Sequence, residues 1–199
     1  MPVVIKKQIN ASVYVCLWQI QETEAFFLSR YQLSSQDLSD ILSLKLDSRR
    51  LEKWACRAAL SELIEDKAIE LSYSSFGQPI IRNGYISFSH TKNYGLAVLS
   101  HFPVGADIEQ VTPKILKLKH KFMNPQEMNQ FNAESPEEVT LIWSAKEAVF
   151  KWFEKGDLDF CGDMMITKNP LKATLKNEKE IPLYKMEYLD YMIVIAATN

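Results

Sequence analysis

Two short runs hold the side chains best suited to chemistry. Val104-Gly105-Ala106-Asp107-Ile108-Glu109 carries two carboxylates; about forty residues later Trp143-Ser144-Ala145-Lys146-Glu147-Ala148-Val149-Phe150-Lys151 carries a third acid and a lysine. In a strand alternate side chains share a face, so Asp107 and Glu109 point one way with Ile108 behind them. Two carboxylates that close repel and raise one another's pKa unless a cation lies between them. A hard divalent ion supplies that cation, and Mg²⁺ keeps waters and binds phosphate as well. The expectation is that the two runs meet, with Asp107, Glu109 and Glu147 holding a divalent metal against a phosphate ester. A D-x-E alone is as well explained by an edge-strand pair facing solvent; the third acid makes the set more specific.

The second run lies in a helix expected from Glu138 to about Lys155. At roughly 3.6 residues per turn, Thr140, Ser144, Glu147 and Lys151 share a narrow stripe and nearly everything else is apolar. Such a helix is buried on most sides, with its polar stripe facing a cleft. An i,i+4 pair between Glu147 and Lys151 would contribute only about 0.2–0.5 kcal/mol.

Two further groups could handle an anion. His90 stands between Ser89 and Thr91 at a strand end, three hydrogen-bonding side chains in a row. Arg49, Arg50, Lys53 and Arg57 cluster in the first half of a helix expected over Ser48–Glu65. Either a solvated basic face or a guanidinium contact to phosphate fits that cluster. His101 and His120 have no comparable context.

The elements that must position these groups follow from pattern. Val13–Ile20 reads as a buried strand, and Glu22–Tyr31 and Ser34–Leu44 as helices, the second capped by Ser34 or Ser35. Pro79–Arg82 and Tyr85–Phe88 flank Asn83-Gly84, a dipeptide suited to a type I′ turn. Strands follow at Gly95–Ser100 and Val104–Glu109, antiparallel by default. Asn124-Pro125-Gln126-Glu127 and Ser135-Pro136-Glu137-Glu138 are helix starts. Strands close the chain around Cys161–Thr167, Leu171–Leu175, Leu183–Glu187 and Met192–Ala197, with turns at Asn169-Pro170 and Asn177-Glu178-Lys179. The expected class is α+β, two similar halves that each pack helices on a small antiparallel sheet. The break near His101-Phe102-Pro103 divides them, at 1–102 and 103–199.

Composition narrows the rest. The 199 residues are 47% apolar and 24% charged with net charge −2, an ordinary globular balance that argues against a nucleic-acid or anionic-membrane surface. No apolar run approaches a bilayer span, and the N-terminus lacks a signal-peptide core. Cys16, Cys56 and Cys161 show no C-x-x-C spacing and read as buried reduced thiols of a cytosolic protein. Among six glycines there is no G-x-x-x-x-G-K or G-x-G-x-x-G loop, so a phosphate site must use side chains and metal.

Together these runs resemble the 4′-phosphopantetheinyl transferase family, in its longer class of two similar halves (the surfactin-synthetase-activator type). The resemblance rests on Gly105–Glu109, Trp143–Lys151, the gap between them, Phe88-Ser89-His90-Thr91 and Phe76-Gly77-Gln78-Pro79, in order, over about Arg49–Lys151. Gln78 stands where the family often has lysine, and the loop Glu154–Leu158 matches only faintly.

The resemblance implies two α+β halves related by a pseudo-twofold, with coenzyme A in a cleft between them and Mg²⁺ bridging its pyrophosphate. It implies Asp107, Glu109 and Glu147 as metal ligands. Glu147, directly or through water, would help deprotonate a carrier-protein serine that attacks the β-phosphorus. Lys151 and His90 would hold phosphates with help from Lys146, and Ser89, Arg49 and Arg50 would add coenzyme A contacts. The products would be the holo acyl or peptidyl carrier protein and adenosine 3′,5′-bisphosphate. Such carriers are acidic, so Lys114–Lys121 is the expected docking segment on a cytoplasmic monomer, though a solvated lysine face explains it equally. Two other readings stay open: a catalytically weak coenzyme A-binding relative, and a different metal phosphoesterase.

Overall fold

The computed structural model describes residues 2–154, 156–176 and 179–198, which form two units, Met1–Pro103 and Val104–Asn199. The first runs β1 (Val3–Gln8), β2 (Val13–Gln19), α1 (Glu24–Arg30), β3 (Gln32–Leu33), α2 (Ser35–Leu42), α3 (Asp47–Ile64), β4 (Ala68–Ile69), β5 (Ser72–Tyr73), β6 (Pro79–Ile81), β7 (Gly84–Thr91) and β8 (Tyr94–Ser100). The second runs β9 (Val104–Gln110), two 3₁₀ turns (Pro113–Lys117 and Lys119–Lys121), α4 (Pro125–Gln130), α5 (Pro136–Phe153), β10 (Met164–Lys168), β11 (Leu171–Leu175), β12 (Glu180–Tyr188) and β13 (Tyr191–Ala197). This is the α+β class with antiparallel sheets expected from the sequence. No helix is long and apolar enough to cross a membrane, among the described residues.

Both units trace one path. A strand leads through helical segments to a helix of 18 residues, and a four-strand meander then returns to lie beside that first strand. In the first unit the sheet order is β1-β2-β8-β7-β6-β5; in the second it is β10-β11-β12-β13-β9. Thus β2, α3 and β5–β8 correspond to β9, α5 and β10–β13. Although β9 follows β8 after a short turn, it enters the second sheet by pairing antiparallel with β13, Asp107 opposite Val194. The β1 edge strand and the parallel β3–β4 pair are too weakly patterned to stand out in the sequence.

Each long helix lies on its sheet through a glycine. A Cβ at Gly105 would lie 1.9 Å from the Ala148 carbonyl oxygen, and one at Gly95 2.5 Å from the Cys56 amide nitrogen. Backbone cannot yield to that degree, so only glycine permits this approach. Around α3, the Phe27 ring stacks on Trp54 at 5.9 Å within an apolar cluster including Trp18, Ile41 and Leu60. Around α5, Val139, Ile142, Ala145 and Val149 meet Ile166, Ala173 and Val194.

Local chemistry sets the helix ends. Ser34 caps α2 by accepting from the Asp37 amide, Ser135 caps α5 by accepting from the Glu138 amide, and Asn124 with Glu127 forms a full capping box on α4. The Asn83-Gly84 turn is shifted from its expected place. Ile81 pairs with Gly84, so Arg82 and Asn83 are the loop residues, and Asn83 is not among the positive-φ positions that a type I′ turn requires. The expected turn at Asn177-Glu178 and the helix end at Lys155 lie outside the described residues. Cys16, Cys56 and Cys161 are in no disulfide. Burial pushes the Cys16 thiol up to about 12, which makes it inert, whereas Cys161 is only half-buried.

Candidate active site

Strand alternation turns Gly105, Asp107 and Glu109 toward α5, and the close seat at Gly105 brings their side chains to the helix surface. There Lys151 donates to Asp107 Oδ1 and to the Ala106 carbonyl, both at 2.9 Å. Trp143, one turn before Glu147, donates its indole N–H to Glu109 Oε1 at 3.2 Å. Asp107 is buried, and Glu109, Glu147 and Lys151 are half-buried.

Three acids and one lysine leave an excess of negative charge. Burial and then the charge of Asp107 raise the Glu109 carboxyl above its ordinary pKa, against relief from Trp143 and Lys151. Burial and Asp107 raise Glu147 in the same way; Lys151 opposes the rise and Glu109 adds to it. This mutual repulsion is the condition that a bound cation relieves, and all-oxygen donors suit a hard divalent ion. The donor chemistry therefore fits Mg²⁺. The acids are not drawn around a common point, however: no three His, Cys, Asp or Glu side chains stand close enough to hold one ion, among the described residues. Lys151 is the cation that Asp107 contacts in their place.

The stripe on α5 differs from the helical wheel. Thr140 and Ser144 are buried, and the open side runs through Trp143, Glu147, Phe150 and Lys151. Phe122, Trp143, Phe160 and Phe150 form a ladder along it, with centroids 5.1, 5.7 and 5.9 Å apart.

Lys146, expected to help hold a phosphate, lies on the buried side of α5. Its ammonium is fully buried and donates to Glu127 Oε2 at 2.7 Å and to the carbonyls of Phe122, Phe160 and Met164. Glu127 also accepts from the Asn124 and Ile166 amides. Burial lowers the Lys146 pKa and the Glu127 charge opposes that shift. This pair ties the 118–124 and 157–164 segments to α5. Glu127 was legible in the sequence only as a capping residue.

In the first unit, Arg50 is likewise engaged. Its guanidinium donates to both Glu24 oxygens, to the Leu44 carbonyl and to Asp47, so its fork holds protein carboxylates where a phosphate contact was expected. Arg49 keeps a largely exposed side chain and pairs with Glu52 at 2.8 Å. His90 lies near the end of β7, its Nδ1 in an electrostatic contact 3.1 Å from the same Glu52 oxygen. Ser89 is buried, and its carbonyl accepts from the Cys56 thiol at 3.3 Å.

Comparison with known proteins agrees with the resemblance seen in the sequence. The sequence model of the 4′-phosphopantetheinyl transferase superfamily matches residues 103–191. A Synechocystis sp. protein named as a candidate 4′-phosphopantetheinyl transferase is 30% identical over 141 residues, 64% of this chain and 54% of that relative. A 4′-phosphopantetheinyl transferase of Bacillus subtilis is 26% identical over 106 residues, 50% of this chain and 47% of its own. The 4′-phosphopantetheinyl transferase Sfp of Bacillus subtilis strain 168 is 26% identical over 100 residues, 47% of this chain and 45% of its own. The chain thus spans about half the length of the curated relatives it matches.

Proposed function

We propose that this chain, whose residues 103–191 match the sequence model of the 4′-phosphopantetheinyl transferase superfamily, transfers the phosphopantetheine arm of coenzyme A to a serine of an apo acyl or peptidyl carrier protein. The observation that carries the reading is the convergence of β9 and α5 at Gly105, which sets Asp107, Glu109, Glu147 and Lys151 in one electrostatic cluster.

Asp107, Glu109 and Glu147 are the side chains that would hold Mg²⁺. When bound, the ion would neutralise phosphate charge and polarise the bond to be broken. Glu147 is the candidate base, which would accept the proton of the carrier serine directly or through a bound water. Lys151 would exchange its contact with Asp107 for a phosphate oxygen. Its stem anchors it at the last turn of α5 and limits the movement required. His90 and Arg49 are the cations proposed for further phosphates of coenzyme A. Phosphoryl-type transfer relies on positioning and charge stabilisation more than on covalent steps by the protein, which suits a site of acids and cations without a glycine loop.

The test is direct. Incubated with coenzyme A, Mg²⁺ and a panel of apo carrier proteins, the protein should increase a carrier's mass by one phosphopantetheine group and release adenosine 3′,5′-bisphosphate. No mass gain on any carrier, with coenzyme A binding intact, would replace this reading with that of a binding-only relative.

A further inference from the structure

Helix α3 holds three successive residues of β7. Arg57 places its guanidinium 5.0 Å from the centre of the Phe88 ring. Cys56 donates its thiol to the Ser89 carbonyl. Glu52, one turn earlier, meets His90. Arg57 is itself fixed by a bond to each oxygen of Asp37 on α2, Nε to Oδ2 at 3.0 Å and Nη2 to Oδ1 at 2.5 Å, so this row has little freedom to shift. Glu52 is only 5% exposed, yet its Oε2 accepts from Arg49 at 2.8 Å and lies 3.1 Å from His90 Nδ1. A buried carboxylate is costly unless paired with cations. Here Arg49 is one, His90 becomes a second when protonated, and each keeps part of its side chain open to solvent: 58% for Arg49 and 25% for His90.

We infer that Glu52 is a positioning residue that holds Arg49 and His90 side by side as a two-cation site for a phosphate group of the donor substrate. The inference rests on the proposed function for the identity of that substrate. Glu52 is too buried to meet the ligand itself and would repel an anion. Its effect passes through those two side chains, by fixing their directions. Nothing in the local sequence singles it out among the charged residues of α3.

The experiment compares wild type with Glu52→Gln, which keeps shape and removes charge. Glu52→Gln should raise the KM for coenzyme A about tenfold while changing kcat by less than about threefold, the split expected when ground-state binding alone is lost. Added to His90→Ala, it should cost much less than the product of the two single effects, since both act through one group. Glu52→Asp, which retains the charge, should recover most of the affinity. A readout independent of turnover is the NMR titration of the His90 imidazole, one of only three histidines and assignable with His90→Ala. In Glu52→Gln its midpoint should fall by about one pH unit. An unmoved midpoint, or an unchanged KM in an enzyme that transfers, overturns the inference. A moved midpoint in a protein that transfers nothing overturns the proposed transferase reaction and leaves the Glu52–His90 coupling standing.

Discussion

Residues only a few positions apart in this chain have opposite roles. Lys146 and Lys151 belong to one motif, but Lys146 is sealed in a buried pair with Glu127 while Lys151 reaches Asp107 at the open side of α5. Breaking a buried pair leaves an uncompensated charge, so Lys146→Met should destabilise the protein by about 3–5 kcal/mol in urea unfolding, and adding Glu127→Gln should recover a large part. A phosphate-binding Lys146 would instead give a stable protein with weak coenzyme A affinity. The reverse pattern is expected of the acids. Asp107→Ala and Glu147→Ala should abolish transfer with the fold retained by circular dichroism. Mg²⁺ should raise the thermal midpoint of the wild type and have little effect on Asp107→Ala; near-wild-type turnover in either variant would remove the metal assignment.

Among the elements, the α5–β9 contact governs the site. Gly105→Ala must push α5 off β9, because the added methyl meets the backbone at Ala148 and Trp152. A loss of about 1–3 kcal/mol is expected from such overpacking, together with reduced turnover as Glu147 and Lys151 withdraw from Asp107. Equal stability for this variant would show that the helix can slide at no cost. At its other end α5 is fixed by Glu138, which accepts from the Asn132 amide and from Lys168, both at 2.8 Å. The Lys168 bond is the main cause that holds the Glu138 carboxyl below its ordinary pKa. With the folded pKa depressed, the stabilisation is present above the unfolded value, near 4.3, and is lost as pH falls through the folded one. Glu138→Gln should therefore cost about 0.5 kcal/mol at pH 7 and almost nothing at pH 2, read from denaturation midpoints.

For the whole molecule, the proposed reaction requires a surface that recognises a carrier protein. Lys114, Lys117 and Lys121 are exposed on the two 3₁₀ turns, with Leu118 45% exposed among them. Lys119 turns away to the Ala133 carbonyl and Glu134, and Ile115 and Leu116 pack on the core of the second unit. Within the expected docking segment, Lys114, Lys117 and Lys121 thus stand exposed on an anchored support. Reversing charge at Lys117 and Lys121 should raise the KM for an acidic carrier and leave coenzyme A affinity alone, and more so at low salt. An unchanged carrier KM would assign these lysines to solvation only.

Periodicity and spacing were sufficient to identify the α+β class, the strand that bears Asp107 and Glu109, the helix that bears Glu147 and Lys151, and the caps at Asn124 and Ser135, with Ser34 one of two candidates at α2. Those features are local: strand alternation, helical turn and cap chemistry act within a few residues and leave a readable pattern. Partner choice is not local. Which lysine of the motif is buried depends on the 118–124 and 157–164 segments closing over α5, and which arginine of the pair stays open depends on Glu24 approaching from another helix. The turn at Arg82-Asn83 was decided by strand register, which overrode the preference of Asn-Gly. The pairing of β9 with β13 crosses most of the second unit, and the meeting of Glu52 with His90 spans helix and sheet. Contacts at such sequence distance arise only once the chain has packed, so tertiary structure alone decided which of the candidate charges are buried in the fold and which remain exposed to solvent.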